Sequence, residues 1–462
     1  MKFLFISPIS GKYSLSRKKK ISFGSYLPPI GMLYVASSLE NDGHNLEVID
    51  YHFEEKPEEK IQKSLSSYDA IGLCVHSNSC SESASVAKII KIDNPDIPII
   101  IGGPHCTFHP NNCLDDIPDA DISIEGEGEY AIKDIVKALN GEKKLSEGIG
   151  IYYRKNGEIK KGKQAEVIMD LDSLSFPARH LVDKYKYGRM NGVYFGKQKF
   201  TTMVTSRGCP FRCKFCTRHV TTMETFRQRS AENILKEFQE INDKFRSLMI
   251  IDDNFLADTK RAHRIMDGLV EMDLGLDIFI GGARVDTAER ELYKKMKNVG
   301  VKFIGFGIES GNQDVLDFYN KRITISQIRN AVNLAQEMDF MTMGSFILGA
   351  PIETEEHINK TIDFACSLPL DFSFFNPLCY QYGSDLWREA IESGKISENG
   401  YSHYADSRKN LSNFTIEELE NFCGKGFKKF YLRPNFIIGQ FVKALTRKDN
   451  YMIKMGIKTL MH

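Results

Sequence analysis

The chain carries no excess of charge: Lys and Arg number 61, and Asp and Glu number 61. A zero balance excludes a global pull toward nucleic acid or an anionic membrane, so any such contact has to come from a local patch. No run of about 18 apolar residues occurs, so no transmembrane helix is expected. Met1–Ser10 has a short apolar run but neither a signal-length apolar region nor a small-residue cleavage site. It reads as a first buried strand, and the expected setting is the reducing cytoplasm. There the ten cysteines point to metal or catalysis rather than to disulfides. Internal repeats and low-complexity tracts are also missing. With 462 residues and 42% hydrophobic content, the chain is a folded globular protein of two or three domains.

What is present is a rhythm. Lys2–Ser7, Leu46–Asp50, Ala70–Val75, Pro98–Gly102 and Asp121–Ile124 are short, nearly continuous apolar runs. Such runs suit parallel strands buried on both faces. Helical patterns over Ile30–Asp42, Lys56–Ser67, Glu82–Asp93 and Glu129–Asn140 separate them. Pro28-Pro29 starts the first helix and Gly43 stops it. This alternation predicts a doubly wound α/β domain over residues 1–147. Residues 148–198 read as a hairpin around Asn156-Gly157 followed by a polar linker. From 199 to 385 the rhythm resumes, with strands expected at Thr202–Thr205, Ser247–Ile251, Asp277–Ile280, Phe303–Ile308, Thr342–Leu348 and Phe372–Leu378. Six such units suit a partial (βα) barrel. Residues 386–462 read as mainly helical, most clearly at Thr415–Lys429.

Cys209, Cys213 and Cys216 follow the first of these barrel strands in a C-x3-C-x2-C loop. Three thiolates close in sequence can bind three irons of a cubane and leave the fourth iron open to another molecule. A zinc site closed by His219 is the competing reading, since structural zinc takes four ligands. The place of the loop at the top of a barrel strand argues against it, because barrel active sites occupy that face.

This loop, with Phe215 before its last cysteine, resembles the signature of the radical S-adenosylmethionine (radical SAM) superfamily. The resemblance extends over residues 1–385. It implies a [4Fe–4S] cluster whose open iron is chelated by S-adenosylmethionine. One electron then cleaves the cofactor to a 5′-deoxyadenosyl radical, which abstracts a substrate hydrogen. By the same resemblance, Asp252, Asp253 and Asn254 at the end of the second strand receive the cofactor's amine. Arg284 meets its carboxylate, Glu309 and Ser310 meet its ribose, and the backbone at Gly349 lies against its adenine. Each position has a bland alternative. Asp and Asn favour helix N-caps, Arg284 can pair with Asp286, and Gly349 can serve a tightly packed strand. A carboxylate buried at a strand end needs a partner in any case. After the fifth strand the family's Gly-x-Pro-Gly-Glu-Thr appears as Gly349-Ala350-Pro351-Ile352-Glu353-Thr354.

The amino-terminal segments Pro28–Tyr34, Gly43–Asp50, Gly102-Gly103-Pro104-His105 and Glu125–Glu129 together resemble the cobalamin-binding module of one radical SAM group. In open α/β sheets, ligands sit beyond the carboxyl ends of the strands. The corresponding positions are Ser7, Pro8, Ser77, Gly102, Gly103, Pro104, His105, Glu127, Gly128 and Glu129, and ordinary glycine-containing turns are the alternative. Ser7–Gly11 lacks the Asp-x-His-x-x-Gly of modules that supply a histidine to cobalt, so a cobalamin without a His lower ligand is expected. His76 and His105 lie on suitable loops, but neither is assigned as a ligand.

The expectation is therefore an α/β enzyme with a Rossmann-like cobalamin domain, a TIM-type partial barrel and a helical tail. No nucleic acid partner is expected, whereas an electron donor such as flavodoxin or ferredoxin is. Methyl transfer to carbon is the expected outcome. Cyclisation or rearrangement, a methylthiotransferase with a second cluster on Cys74, Cys80, Cys106 or Cys113, and a non-catalytic sensor are the alternatives. The substrate is a small, lipid-like or peptide molecule that the sequence does not name. Arg17–Lys20 reads as a solvated charge run, and the tail Phe430–Lys448 as packed on the barrel or resting on a membrane surface.

Overall fold

The computed structural model describes residues 1–9, 27–190, 193–194, 196–397 and 400–446. The basic run Arg17–Lys20 lies outside them, as do Arg447 and Lys448. The chain divides into two compact units, Met1–Gly192 with Thr221–Met223, and Val193–Val220 with Glu224–His462.

The first unit is built on a seven-stranded sheet. Its spatial order is Asn45–Asp50, Lys2–Ser7, Ala70–Cys74, Ile99–Gly102, Ile122–Ile124, Ile151–Lys155 and Glu158–Lys161. The first five strands are parallel. Phe3, Leu4 and Ile6 are wholly buried, as the continuous apolar run requires. The order reverses between Lys2–Ser7 and Ala70–Cys74, which makes their carboxyl ends the switch point where such sheets bind ligands.

One boundary differs from expectation. The hairpin 151–161 is not a separate connector but the antiparallel continuation of this sheet, with Ile122 opposite Tyr153 and Ile124 opposite Ile151. Pairing there covers an otherwise open strand edge. The residues that follow also pack on the unit: the Tyr187 hydroxyl donates to buried Asp50 at 2.9 Å, and the Tyr185 hydroxyl to Glu54 at 2.6 Å.

The second unit carries six parallel strands in sequential order: Phe200–Met203, Ser247–Ile250, Asp277–Ala283, Val301–Glu309, Met341–Leu348 and Phe372–Pro377. Helices with hydrophobic inner faces connect them. Several begin at the side-chain caps that their sequences advertise, Ser230, Asp258, Thr324 and Thr354. Such caps satisfy amide donors that the first helical turn leaves open. The tail forms helices Ile416–Tyr431 and Pro434–Thr446. The second packs inward through Ala444, while Lys443 reaches Asp371 at 2.8 Å. Its outer face exposes Ile438, Phe441 and Leu445. Among the described residues no helix is long and apolar enough to cross a membrane.

Candidate active site

Gly208 precedes the first cysteine with φ +87°, a backbone region that glycine enters without a Cβ clash. The loop after it is held by neighbours as well as by its own bond from the Cys216 N–H to the Cys213 carbonyl, at 3.0 Å. The Lys214 N–H donates to the Tyr319 carbonyl at 2.9 Å, and the Asn320 side-chain amide donates to the Arg212 carbonyl at 2.7 Å. The Leu386 N–H donates to the Lys214 carbonyl at 3.0 Å. The Phe215 ring meets Tyr319 edge-on at 5.1 Å.

Cys213 is buried, and Cys209 and Cys216 are half-buried. Burial raises all three thiol pKa values; Lys321 and Arg284 oppose that rise at Cys213. Among the described residues, the groups able to converge on one mononuclear ion do not include these three cysteines. A cubane, which carries each terminal thiolate on a different iron, suits that wider spacing. His219 does not complete a zinc site, because its Nε2 accepts from the Arg388 guanidinium at 2.9 Å.

The strand-end residues separate into different roles. Asp252 is turned into the protein, where its carboxylate accepts from the Thr205 N–H and the Ser206 hydroxyl, both at 2.6 Å, with Arg261 at 3.9 Å. It ties the first strand to the second beneath the cluster loop. Asp253 pairs with Arg218 at 3.0 Å and accepts from the Gly208 N–H, beside the cluster cysteines. Asn254 is 1% exposed, and neither its amide oxygen nor its nitrogen has a partner. Asn254 stands at the N-cap of the 3-10 turn Phe255–Ala257 but its side chain makes no capping bond, and the α-helix that follows is capped by Asp258. A buried polar group left unsatisfied is costly, so the Asn254 amide fits a cofactor that brings its own donors and acceptors.

Arg284 realises the structural alternative. It grips Asp286 through two bonds of 3.0 and 2.9 Å, donates to the Lys321 carbonyl at 2.8 Å, and stacks 3.6 Å over the Phe211 ring. It thereby holds the cluster loop. Glu309, at φ +67°, pairs with buried Lys321 at 2.7 Å. The Ser310 hydroxyl lies 3.1 Å from Thr361 and accepts from the Asn312 N–H. Both residues have partners within the protein, at the strand end where the resemblance expects the ribose. At Gly349, with φ +108°, an added Cβ would come within 2.6 Å of Leu419. The close approach there is to the tail helix.

The sequence gives two residues of this site no role. Lys321 lies in a turn that carries no motif. Glu353 sits in the Gly349–Thr354 segment, but its role emerges only from folding: one oxygen accepts from the Gly349 and Ala350 N–H groups at 2.6 and 2.8 Å, and the other has no partner.

In the first unit, Ser7 and Pro8 end the first strand at the switch point. Gly103, at φ +115°, has room for no Cβ because the Val75 carbonyl would lie 2.8 Å away. Gly102 has no such conflict, its nearest neighbour being Ile124 at 3.8 Å. Pro104 opens a short helix, as its fixed φ favours. Glu127 accepts from the Ile168 N–H, Gly128 lies against Val35, and Glu129 is buried. His105 is wholly buried, with Nδ1 3.1 Å from the Ser77 hydroxyl and Nε2 3.0 Å from Asp116. His105 thus turns Nδ1 to Ser77 and Nε2 to Asp116 within the unit, and it is not assigned to cobalt. The switch-point loops fit a large, amide-rimmed ligand through backbone groups and serines. Cys106 and Cys113 are wholly buried in the hydrophobic core.

Asn254→Ala provides a direct check on the cofactor fit. Without S-adenosylmethionine it is expected to leave Tm nearly unchanged, because it deletes two unsatisfied polar atoms. With the cofactor it should weaken binding about 10-fold or more, as expected for a hydrogen bond to a charged group. Equilibrium binding beside thermal unfolding reads both.

Glu353 gives a pH signature. Burial pushes its carboxyl up to about 7 despite its two backbone donors, against an ordinary value of 4.5. The folded state therefore holds a proton that the unfolded chain releases. That stabilisation is complete below about pH 4.5 and disappears as the pH rises through about 7. Glu353→Gln is expected to remove this component, worth on the order of 3 kcal/mol. The difference in stability between variant and wild type across that window is the measurement.

Two stretches of the chain match known families. Residues 203–365 match the radical SAM superfamily, and residues 19–136 match the B12 binding domain. An uncharacterized methyltransferase of Pyrococcus horikoshii is 31% identical over 445 residues, covering 95% of this chain and 94% of that protein. The cytidylyl-2-hydroxyethylphosphonate methyltransferase of Streptomyces wedmorensis is 26% identical, covering 80% and 78%. In fold, the chain resembles the radical S-adenosylmethionine methyltransferase TsrM from Kitasatospora setae, solved with cobalamin and a [4Fe–4S] cluster. The TM-score is 0.70 at 15% identity, over 87% of this chain and 78% of that one. The cobalamin-dependent radical enzyme OxsB, solved with aqua-cobalamin and S-adenosylmethionine, gives 0.72 at 19% identity, over 92% and 66%. With the family matches, near full-length kinship and cluster loop together, the chain belongs to the cobalamin-dependent radical S-adenosylmethionine enzymes.

Proposed function

We propose that this enzyme is a methyltransferase whose methyl group goes to an unactivated carbon of its substrate. When bound, the cluster and S-adenosylmethionine supply the hydrogen-abstracting radical, and cobalamin supplies the methyl group. The chain's own work is positioning. Cys209, Cys213 and Cys216 hold three irons and leave the fourth open. Asn254 offers the buried amide for the cofactor, and Arg284 with Phe211 keeps the loop in place. The observation that carries the reading is the three-cysteine loop together with the unsatisfied Asn254 just past the next strand, in a chain with a B12 binding domain. Methyltransferases among its relatives favour methylation over cyclisation. The cyclase reading has support of its own, since an anaerobic magnesium-protoporphyrin IX monomethyl ester cyclase of Rubrivivax gelatinosus is 23% identical over 440 residues. A low-potential protein such as flavodoxin or ferredoxin would deliver the electrons.

The test uses full-length protein reconstituted without oxygen, a chemical reductant and S-adenosylmethionine labelled in its methyl group. Release of 5′-deoxyadenosine, with label appearing on carbon in an extract fraction offered as substrate, is the expected result. Deoxyadenosine with a product that carries no label would favour cyclisation or rearrangement. Neither deoxyadenosine nor label, with both cofactors bound, would overturn the enzyme reading in favour of a sensor.

A further inference from the structure

A second set of ligating side chains lies in the first unit, away from the cluster loop in sequence. Cys80 begins the helix Cys80–Asp93, His105 sits in the short helix Pro104–Phe108, and Asp116 ends the short helix Cys113–Asp116. The Cys80 Sγ is 3.4 Å from the His105 Nε2, and an Asp116 carboxylate oxygen is 3.0 Å from that same nitrogen. All three ligand atoms lie within 4.8 Å of one another. Among the described residues this is the one such group of three.

The geometry points to a mononuclear zinc site formed by Cys80, His105 and Asp116, with the fourth position open to water. Three observations carry it. First, thiol and carboxylate share one ring nitrogen. A Cys–His–Asp proton relay would put them on opposite nitrogens, and one N–H cannot serve two acceptors well. A cation bound at that nitrogen would take both as ligands. Second, tetrahedral zinc with a thiolate at about 2.3 Å and N or O ligands at about 2.0–2.2 Å separates its ligand atoms by ~3.3–3.6 Å. The observed 3.4 and 3.0 Å need only a small opening. Third, the histidine is already oriented. Its Nδ1 lies 3.1 Å from the Ser77 hydroxyl, an arrangement that turns Nε2 toward a metal. His105 is wholly buried, while Cys80 and Asp116 are half-buried, so solvent reaches the open side. Mixed thiolate and imidazole donors select zinc over magnesium or calcium.

Such an ion would join three segments that follow the third and fourth strands of the sheet. It would therefore act as a staple on the loops at the sheet's carboxyl edge.

The test is metal content of the full-length protein with its iron–sulfur cluster reconstituted, measured after equilibration with zinc and removal of loose metal by a weak chelator. About one zinc per chain is expected for the wild type. The double variant Cys80→Ser/Asp116→Asn should lose it while keeping its iron, which also reports that the variant folds. Cys80→His, which keeps a ligand, should retain zinc. No zinc in the wild type, or equal zinc in wild type and double variant, would overturn the site. Iron content is read in the same samples, so zinc lodged in an incomplete cluster loop appears as zinc that the double variant still holds.

Discussion

Cys213→Ala, purified and reconstituted without oxygen, is expected to fall from about four irons per chain to nearly none. Release of 5′-deoxyadenosine should drop to the level seen without enzyme. Cys213 is the most buried of the three cluster thiols, and its neighbours Lys321 and Arg284 favour its thiolate. Two remaining cysteines leave two irons of a cubane without protein ligands. Far-UV circular dichroism should be unchanged, since the loop's backbone is pinned by hydrogen bonds with the Tyr319 and Leu386 backbone and the Asn320 side chain rather than by the thiol. The iron count also separates the alternatives. A methylthiotransferase with a second cluster would hold about eight irons in the wild type and keep about four in the variant. Iron and sulfide analysis beside chromatographic detection of deoxyadenosine is the measurement.

Lys321→Met is expected to be the most damaging substitution outside the cysteines. The Lys321 ammonium and the Glu309 carboxylate meet at 2.7 Å with side chains only 8% and 7% exposed. Burial alone would lower the lysine pKa, but Glu309 and Cys213 more than offset this, and it stands above its ordinary value. Removing one partner leaves a buried charge without compensation, which costs about 3–5 kcal/mol. Replacing both, as Lys321→Met with Glu309→Leu, removes the uncompensated charge and should recover much of the loss. Denaturant unfolding of the single and double variants beside wild type reads the difference. A single variant as stable as wild type would show that the pair is solvated. Because Lys321 also favours the Cys213 thiolate, the single variant should retain its cluster less well at a matched degree of folding. Iron loss to a chelator over time reports that.

Much of the architecture was legible in the chain. Apolar runs such as Lys2–Ser7 and Met341–Leu348 have few ways to bury themselves except as central parallel strands. Capping residues such as Asp258 and Thr354 mark helix starts by a local chemistry that needs no tertiary partner. The hairpin 151–161 was legible as a hairpin, but not as a part of the first sheet. Which edge a hairpin joins depends on a strand far away in sequence, and no local pattern carries that information.

The site divides along the same line. By itself the sequence determined the three cysteines, the strand ends to which the resemblance assigns cofactor contacts, and the absence of an Asp-x-His-x-x-Gly motif. These are matters of residue type and spacing along one segment. Only the tertiary structure decided which carboxylates face inward. Asp252 is consumed by Thr205 and Ser206, Glu309 by Lys321, and Ser310 is engaged with Thr361, whereas Asn254, two residues from Asp252, keeps an unsatisfied amide. It likewise brought Cys80, His105 and Asp116 together from three segments. The physical reason is that a buried polar group takes whichever partner the packing places within about 3 Å. That partner usually comes from another strand or helix, so its identity is a property of the fold and not of the motif.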